Sequence, residues 1–106
     1  ETADRITALM VQAVEQGEAK WAAPKGYTVA GKTGTAQIAV EGHYDREKTT
    51  ASFVGFAPAN SPKFSILIRL DNPKQSDAAS SCAAPIFAKL AKYIIDLKQI
   101  PPTALP

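Results

Sequence analysis

Lys32, Thr33, Gly34 and Thr35 are the four consecutive residues of this 106-residue chain whose types could do chemistry. They lie within Val29-Ala-Gly-Lys32-Thr33-Gly34-Thr35-Ala-Gln37, whose β-branched content reads as a strand. A cation, two hydroxyls and two glycines on one strand suit the binding of an anion and the stabilisation of an oxyanion. Period-two alternation sends Lys32 and Gly34 to one face and Thr33 and Thr35 to the other. Lys32 and Thr33 therefore serve one cleft only if the strand is a twisted edge. A free edge would also let an extended peptide pair with it through main-chain hydrogen bonds.

A second pattern overlaps the first. Gly26-Tyr-Thr-Val-Ala-Gly31-Lys32-Thr33 matches a phosphate loop, G-x-x-x-x-G-K-T, and Phe64-Ser-Ile-Leu-Ile-Arg-Leu-Asp71 imitates the apolar strand whose Asp would hold Mg²⁺. The context speaks against nucleotide binding. A phosphate loop follows an apolar strand and opens a helix at Lys-Thr, whereas Trp21-Ala-Ala-Pro-Lys25 precedes this one and Gly34 with β-prone residues follows. A third reading is a small structural or interaction module, with Lys32 solvated and the glycines serving turns.

The elements that must position these residues are legible as α-β-β-β-α. Thr2 can cap a helix running to about Gln16, with Ile6, Leu9, Met10, Ala13 and Val14 forming a core-facing stripe and Gly17 a stop. Residues 18–26 read as a loop in which Trp21 covers the edge of the core. Tyr27 to Val40 is the signature strand, and Glu41-Gly-His-Tyr-Asp45 is the turn after it. Tyr44 is assigned to packing, and Asp45, Arg46 and Glu47 to solvation. Thr49 to Ala57 and Phe64 to Leu70 are further strands, joined closely enough to demand an antiparallel meander. Ala78 to Lys98 is a second helix, with Pro85 near its first turn and Ile86, Leu90, Tyr93, Ile94 and Leu97 expected on the inner face. The expected architecture is a two-layer α+β sandwich, a three-stranded antiparallel sheet with both helices on one face.

Composition permits a real core. Hydrophobic residues make up 45% and charged residues 21%, as in an ordinary globular domain, and a domain of this size buries roughly 60–70% of the surface its unfolded chain exposes. The net charge of +2 with scattered lysines excludes a nucleic-acid footprint. Cys82 is the one cysteine and His43 the one histidine, so neither an internal disulfide nor a Cys/His metal cluster can form. Cys82 is expected as a small buried residue at a helix start. No apolar stretch reaches the roughly 20 residues of a membrane span, so no direct membrane contact is expected of this segment.

Lys-Thr-Gly is a signature of penicillin-binding proteins and class A β-lactamases. Here it is followed by Ala51-Ser-Phe-Val-Gly-Phe-Ala-Pro58 and Ala83-Ala-Pro-Ile-Phe87. In that order and spacing, nearly the whole chain resembles the C-terminal part of a class B penicillin-binding protein transpeptidase domain. Residues 1–100 would be the C-terminal subdomain and 101–106 a non-helical tail. The family's nucleophile lies in Ser-x-x-Lys and a second element is Ser-x-Asn, both upstream of Lys-Thr-Gly. No serine of this chain fits either pattern, and Ser80-Ser-Cys82, where family members more often carry glycines, lies downstream.

The resemblance implies one wall of a peptidoglycan D,D-transpeptidase site, inactive alone. Lys32 would supply positive field and a hydrogen bond to the serine elements. Thr33 would offer its hydroxyl to the substrate carboxylate, Gly34 would leave room for a ligand along the strand, and the backbone N–H of Thr35 would be one of two oxyanion donors. No cofactor is implied. The implied partners are the missing N-terminal part of the domain, peptidoglycan stem peptides and β-lactams. The implied location is the extracytoplasmic face of the bacterial inner membrane. The strands would form one side of a five-stranded sheet, leaving here an unfinished sheet edge and an exposed apolar face.

Overall fold

Glu41 and Gly42 decide how the signature strand is paired. Both have positive φ, 48° and 87°, the backbone of a two-residue hairpin turn whose twist matches its flanking strands. The chain therefore reverses at once, with Val40 opposite His43. The turn expected over Glu41 to Asp45 shrinks to two residues, and His43 and Tyr44 belong to the next strand.

The structure is a computed structural model that describes residues 1–17, 22–73 and 79–102. Helix α1 spans Thr2–Glu15, strands β1, β2 and β3 span Ala30–Val40, His43–Ala57 and Phe64–Asp71, and helix α2 spans Ala79–Lys98. The sheet order is β1-β2-β3, antiparallel throughout. Between Gln37 and Ile38 the β1–β2 register slips: Gln37 pairs with Thr49 and Ile38 with Asp45, leaving residues 46–48 outside the ladder as a bulge. Trp21 and residues 103–106 lie outside the described residues.

One face of the sheet carries both helices. Phe53 and Phe87 are fully buried and meet edge to face, with ring centroids 4.8 Å apart and planes at 69°. Ala51, Ala57 and, from α1, Val14 join the same cluster. The helix faces agree with expectation only in part: Val14 is buried and Met10, Ala13 and Ile94 are half-buried, as expected. In α1 the core contact is Val14, while Ile6 and Leu9 are exposed, and Thr2 lies inside a helix whose N-cap is Glu1, without a side-chain capping bond. In α2 the inner face is Ala84, Phe87, Ala91 and Ile95; Ile86, Leu90, Tyr93 and Leu97 point outward. Small alanines let the helix backbone approach the sheet, and Phe87 fills the remaining space. Pro85 stands in the helix interior rather than its first turn, where it removes one intrahelical hydrogen bond. Cys82 is half-buried in the first turn of α2.

Helix α2 stops through its backbone. Gln99 takes φ 53°, and the N–H groups of Gln99 and Ile100 donate to the carbonyls of Asp96 (3.4 Å) and Ile95 (3.0 Å). These two bonds make a Schellman cap, and Ile95 and Ile100 are both buried. The Tyr27 hydroxyl donates to the Ile100 carbonyl at 2.7 Å, tying the chain after α2 to the segment leading into β1.

Candidate functional site

Strand β1 lies at a sheet edge, with β2 on one side. The register fixes where each signature side chain goes. Thr33 is opposite Phe53, so it shares the face that carries the helices, as does Thr35 two residues on. Lys32 is opposite Val54, and Gly34 opposite Ser52, on the open face. Gly31 explains itself: a Cβ there would run into the Phe53 ring. The alternation read from the sequence thus holds. The edge position brings both faces of β1 within reach of a ligand lying alongside it.

Lys32 is exposed, and its Nζ donates to the Thr33 carbonyl at 2.7 Å. Thr33 is half-buried and Thr35 exposed. A row of polar groups continues from Gly34 over the open face. Ser52 sits on β2, and Arg69 opposite it on β3 pairs with Asp71, Nε to Oδ1 3.0 Å. The Thr50 hydroxyl also donates to that carboxylate oxygen, at 3.3 Å.

Ser52 is the residue of this site that the sequence did not single out. Its hydroxyl donates to the Gly34 carbonyl at 3.3 Å, and a Cβ on Gly34 would stand 2.9 Å from the Ser52 Oγ. In the sequence it is one residue of the run Ala51 to Pro58. Its place beside Gly34 depends on cross-strand register, which no local pattern reveals.

The phosphate-loop reading fails on this geometry. Lys32 and Thr33 are the third and fourth residues of an eleven-residue strand, not the first turn of a helix, so no helix N-terminus faces the would-be phosphate. Asp71 ends β3, which is separated from β1 by β2 and paired with Arg69. A groove of about 280 Å³ between α1 and the segment after β2, lined in part by Asp4, Val11 and Asn60, includes none of the four signature residues.

Comparison with known proteins shows the family and the fold. A family model described as the penicillin binding protein transpeptidase domain matches residues 1–92. The chain is 43% identical over 86 residues to the peptidoglycan D,D-transpeptidase FtsI of Buchnera aphidicola, covering 79% of this chain and 15% of that protein. It is 37% identical over 93 residues to the stage V sporulation protein D of Bacillus subtilis, covering 87% of this chain and 14% of that protein. Among solved structures, it is similar to the transpeptidase domain of Burkholderia pseudomallei penicillin-binding protein 3, with a TM-score of 0.81 and 32% identity over 94% of this chain and 30% of that one. Penicillin-binding protein 3 of Mycobacterium tuberculosis, solved with ampicillin, gives a TM-score of 0.76 and 34% identity over 90% of this chain and 22% of that one. The chain thus spans about one-seventh of the length of these two curated relatives.

Proposed function

Because this chain belongs to the penicillin-binding protein transpeptidase family, we propose that residues 1–100 form the C-terminal subdomain of a peptidoglycan D,D-transpeptidase and supply the Lys-Thr-Gly wall of its active site. Residues 101–106 are the tail that follows. The observation that carries this reading is the display of Lys32, Thr33, Gly34 and Thr35 on an edge strand. An acyl peptide can lie along such a strand while the main chain beside it donates hydrogen bonds.

The reaction is acyl transfer. A serine oxygen attacks the carbonyl of a D-Ala-D-Ala stem, the bond to the terminal D-Ala breaks, and that D-Ala leaves with a proton. An amine on a neighbouring stem then displaces the serine. The serine comes from the part of the domain outside this chain. Lys32 provides positive field on the open face, the Thr33 hydroxyl meets the substrate carboxylate, and Gly34 leaves the strand unobstructed. The Thr35 N–H is one of two oxyanion donors, the second being the N–H of the serine itself.

The rest of the domain is also the partner that the apolar surface fits. Leu9 on α1 is 65% exposed, Leu67 on the open sheet face 65%, and Tyr93 and Leu97 on α2 63% and 67%. Fully burying such a side chain is worth roughly 1.5–3 kcal/mol, so docking across these faces completes the fold. In the cell the segment works on the extracytoplasmic side of the inner membrane, a reading supported by its family. No helix among the described residues is long and apolar enough to cross a membrane.

Labelling with a fluorescent penicillin, read by denaturing electrophoresis, tests the proposal. The 106-residue chain should remain unlabelled, and the full-length protein carrying it should give a covalent band that unlabelled penicillin competes away. A competed band on the isolated chain, or none on the full-length protein, overturns it.

A further inference from the structure

We propose that Ser52 is a positioning residue for the oxyanion donor, acting through the peptide that joins Gly34 to Thr35; the inference rests on the transpeptidase reading above. The Gly34 carbonyl and the Thr35 N–H are two ends of one planar group, and this peptide is trans. They therefore point in opposite directions. The carbonyl accepts the Ser52 hydroxyl at 3.3 Å from the neighbouring strand, so the N–H is directed to the other side of β1, the edge away from β2.

Two consequences follow for that N–H. A hydrogen bond accepted by an amide carbonyl polarises the amide and strengthens its N–H as a donor, by about a tenth to a third in condensed phase. The same bond also resists rotation of the peptide plane, keeping the donor aimed when charge develops on the substrate oxygen. The glycine at 34 is part of the arrangement, since a Cβ there would stand 2.9 Å from the Ser52 Oγ. Gly34 thus leaves space for a hydroxyl of the protein as well as for a ligand. Ser52 is half-buried on the open face and need not touch substrate to act.

The test compares Ser52→Thr with Ser52→Val in the full-length transpeptidase. The two side chains have nearly the same shape, both suit a strand, and only threonine keeps the hydroxyl. Stopped-flow acylation by a chromogenic β-lactam separates binding from acylation. Ser52→Val should acylate about three- to tenfold more slowly, the range set by losing one modest hydrogen bond, with the dissociation constant of the non-covalent complex unchanged. Ser52→Thr should stay within about twofold of the unmodified protein, the smaller change expected when that hydrogen bond is kept. Ser52→Ala, should either β-branched variant fail to fold, must match the loss expected of Ser52→Val. In the isolated chain, the Gly34 carbonyl ¹³C resonance should move upfield in Ser52→Val and Ser52→Ala but not in Ser52→Thr.

Equal acylation by the threonine and valine variants, or an unmoved Gly34 resonance, overturns the role of Ser52 while leaving the transpeptidase reading intact. An unmodified full-length protein that is not acylated at all overturns both.

Discussion

Replacing Thr35 with proline in the full-length transpeptidase should slow acylation by penicillin about 10²–10³-fold, the loss seen when one oxyanion donor is removed. Thr35→Ala should change it by less than about tenfold, because the N–H survives and only packing and modest side-chain contacts are lost. The contrast follows from where the residue stands. Thr35 is exposed on an edge strand, where proline is tolerated better than in a sheet interior, although it also fixes φ near −65°. Circular dichroism and melting must therefore show both variants folded. An acylation rate for folded Thr35→Pro equal to that of the unmodified protein would remove the oxyanion assignment, as would equal damage by alanine and proline.

The second large effect lies beneath the site. Phe53 is fully buried opposite Thr33 and against Phe87. Phe53→Ala should lower the unfolding free energy by about 3–5 kcal/mol, the cost of deleting a buried aromatic ring. Gly31→Ala should cost about 1–3 kcal/mol by overpacking, because its Cβ meets that same ring. The two positions are therefore coupled. Gly31→Ala should be better tolerated in a Phe53→Leu background, with an interaction of at least about 0.5 kcal/mol in a double-mutant cycle. Urea unfolding measures all of these. A loss below about 1 kcal/mol for Phe53→Ala would contradict the packing described here, since it lies well under the range for buried aromatics. Additive costs would show that Gly31 is not glycine because of Phe53.

The fold was largely legible because the strong local signals were consistent. Alternation and β-branched residues marked the strands, short connections required antiparallel pairing, and the signature strand put Lys32 and Gly34 opposite Thr33 and Thr35. Hydrophobicity misled on the helices. Ile86, Leu90, Tyr93, Ile94 and Leu97 are the obvious apolar stripe of α2, yet only Ile94 of these is half-buried and the sheet takes Ala84, Phe87, Ala91 and Ile95. Close helix–sheet approach favours small residues, so the largest side chains need not mark the face nearest this sheet. The stripe of α1 holds at Met10, Ala13 and Val14 and fails nearer the N-terminus. Its Ile6 and Leu9 are exposed because only the end of the helix at Val14 reaches the buried cluster.

The hairpin was misjudged for a different reason. Glu41 to Asp45 read as one turn, but Glu41 and Gly42 alone reverse the chain and pair the strands at once, with a bulge then leaving residues 46–48 outside the ladder. Of the site, the signature itself was legible and Ser52 was not. The first is contiguous in sequence, whereas the second is joined to Gly34 only by register.

As the Lys-Thr-Gly wall of a penicillin-acylated site, this segment should contact the acyl group itself. The most direct measurement is a crystal structure of the full-length protein after reaction with a penicillin. The acyl carbonyl oxygen should lie about 2.7–3.1 Å from the backbone nitrogen of Thr35, the distance expected of an oxyanion donor. The penicillin carboxylate should sit against the Thr33 hydroxyl, and the acylated serine should lie outside the segment described here. An acyl group bound away from β1, or attached to any serine of these 106 residues, would contradict the account.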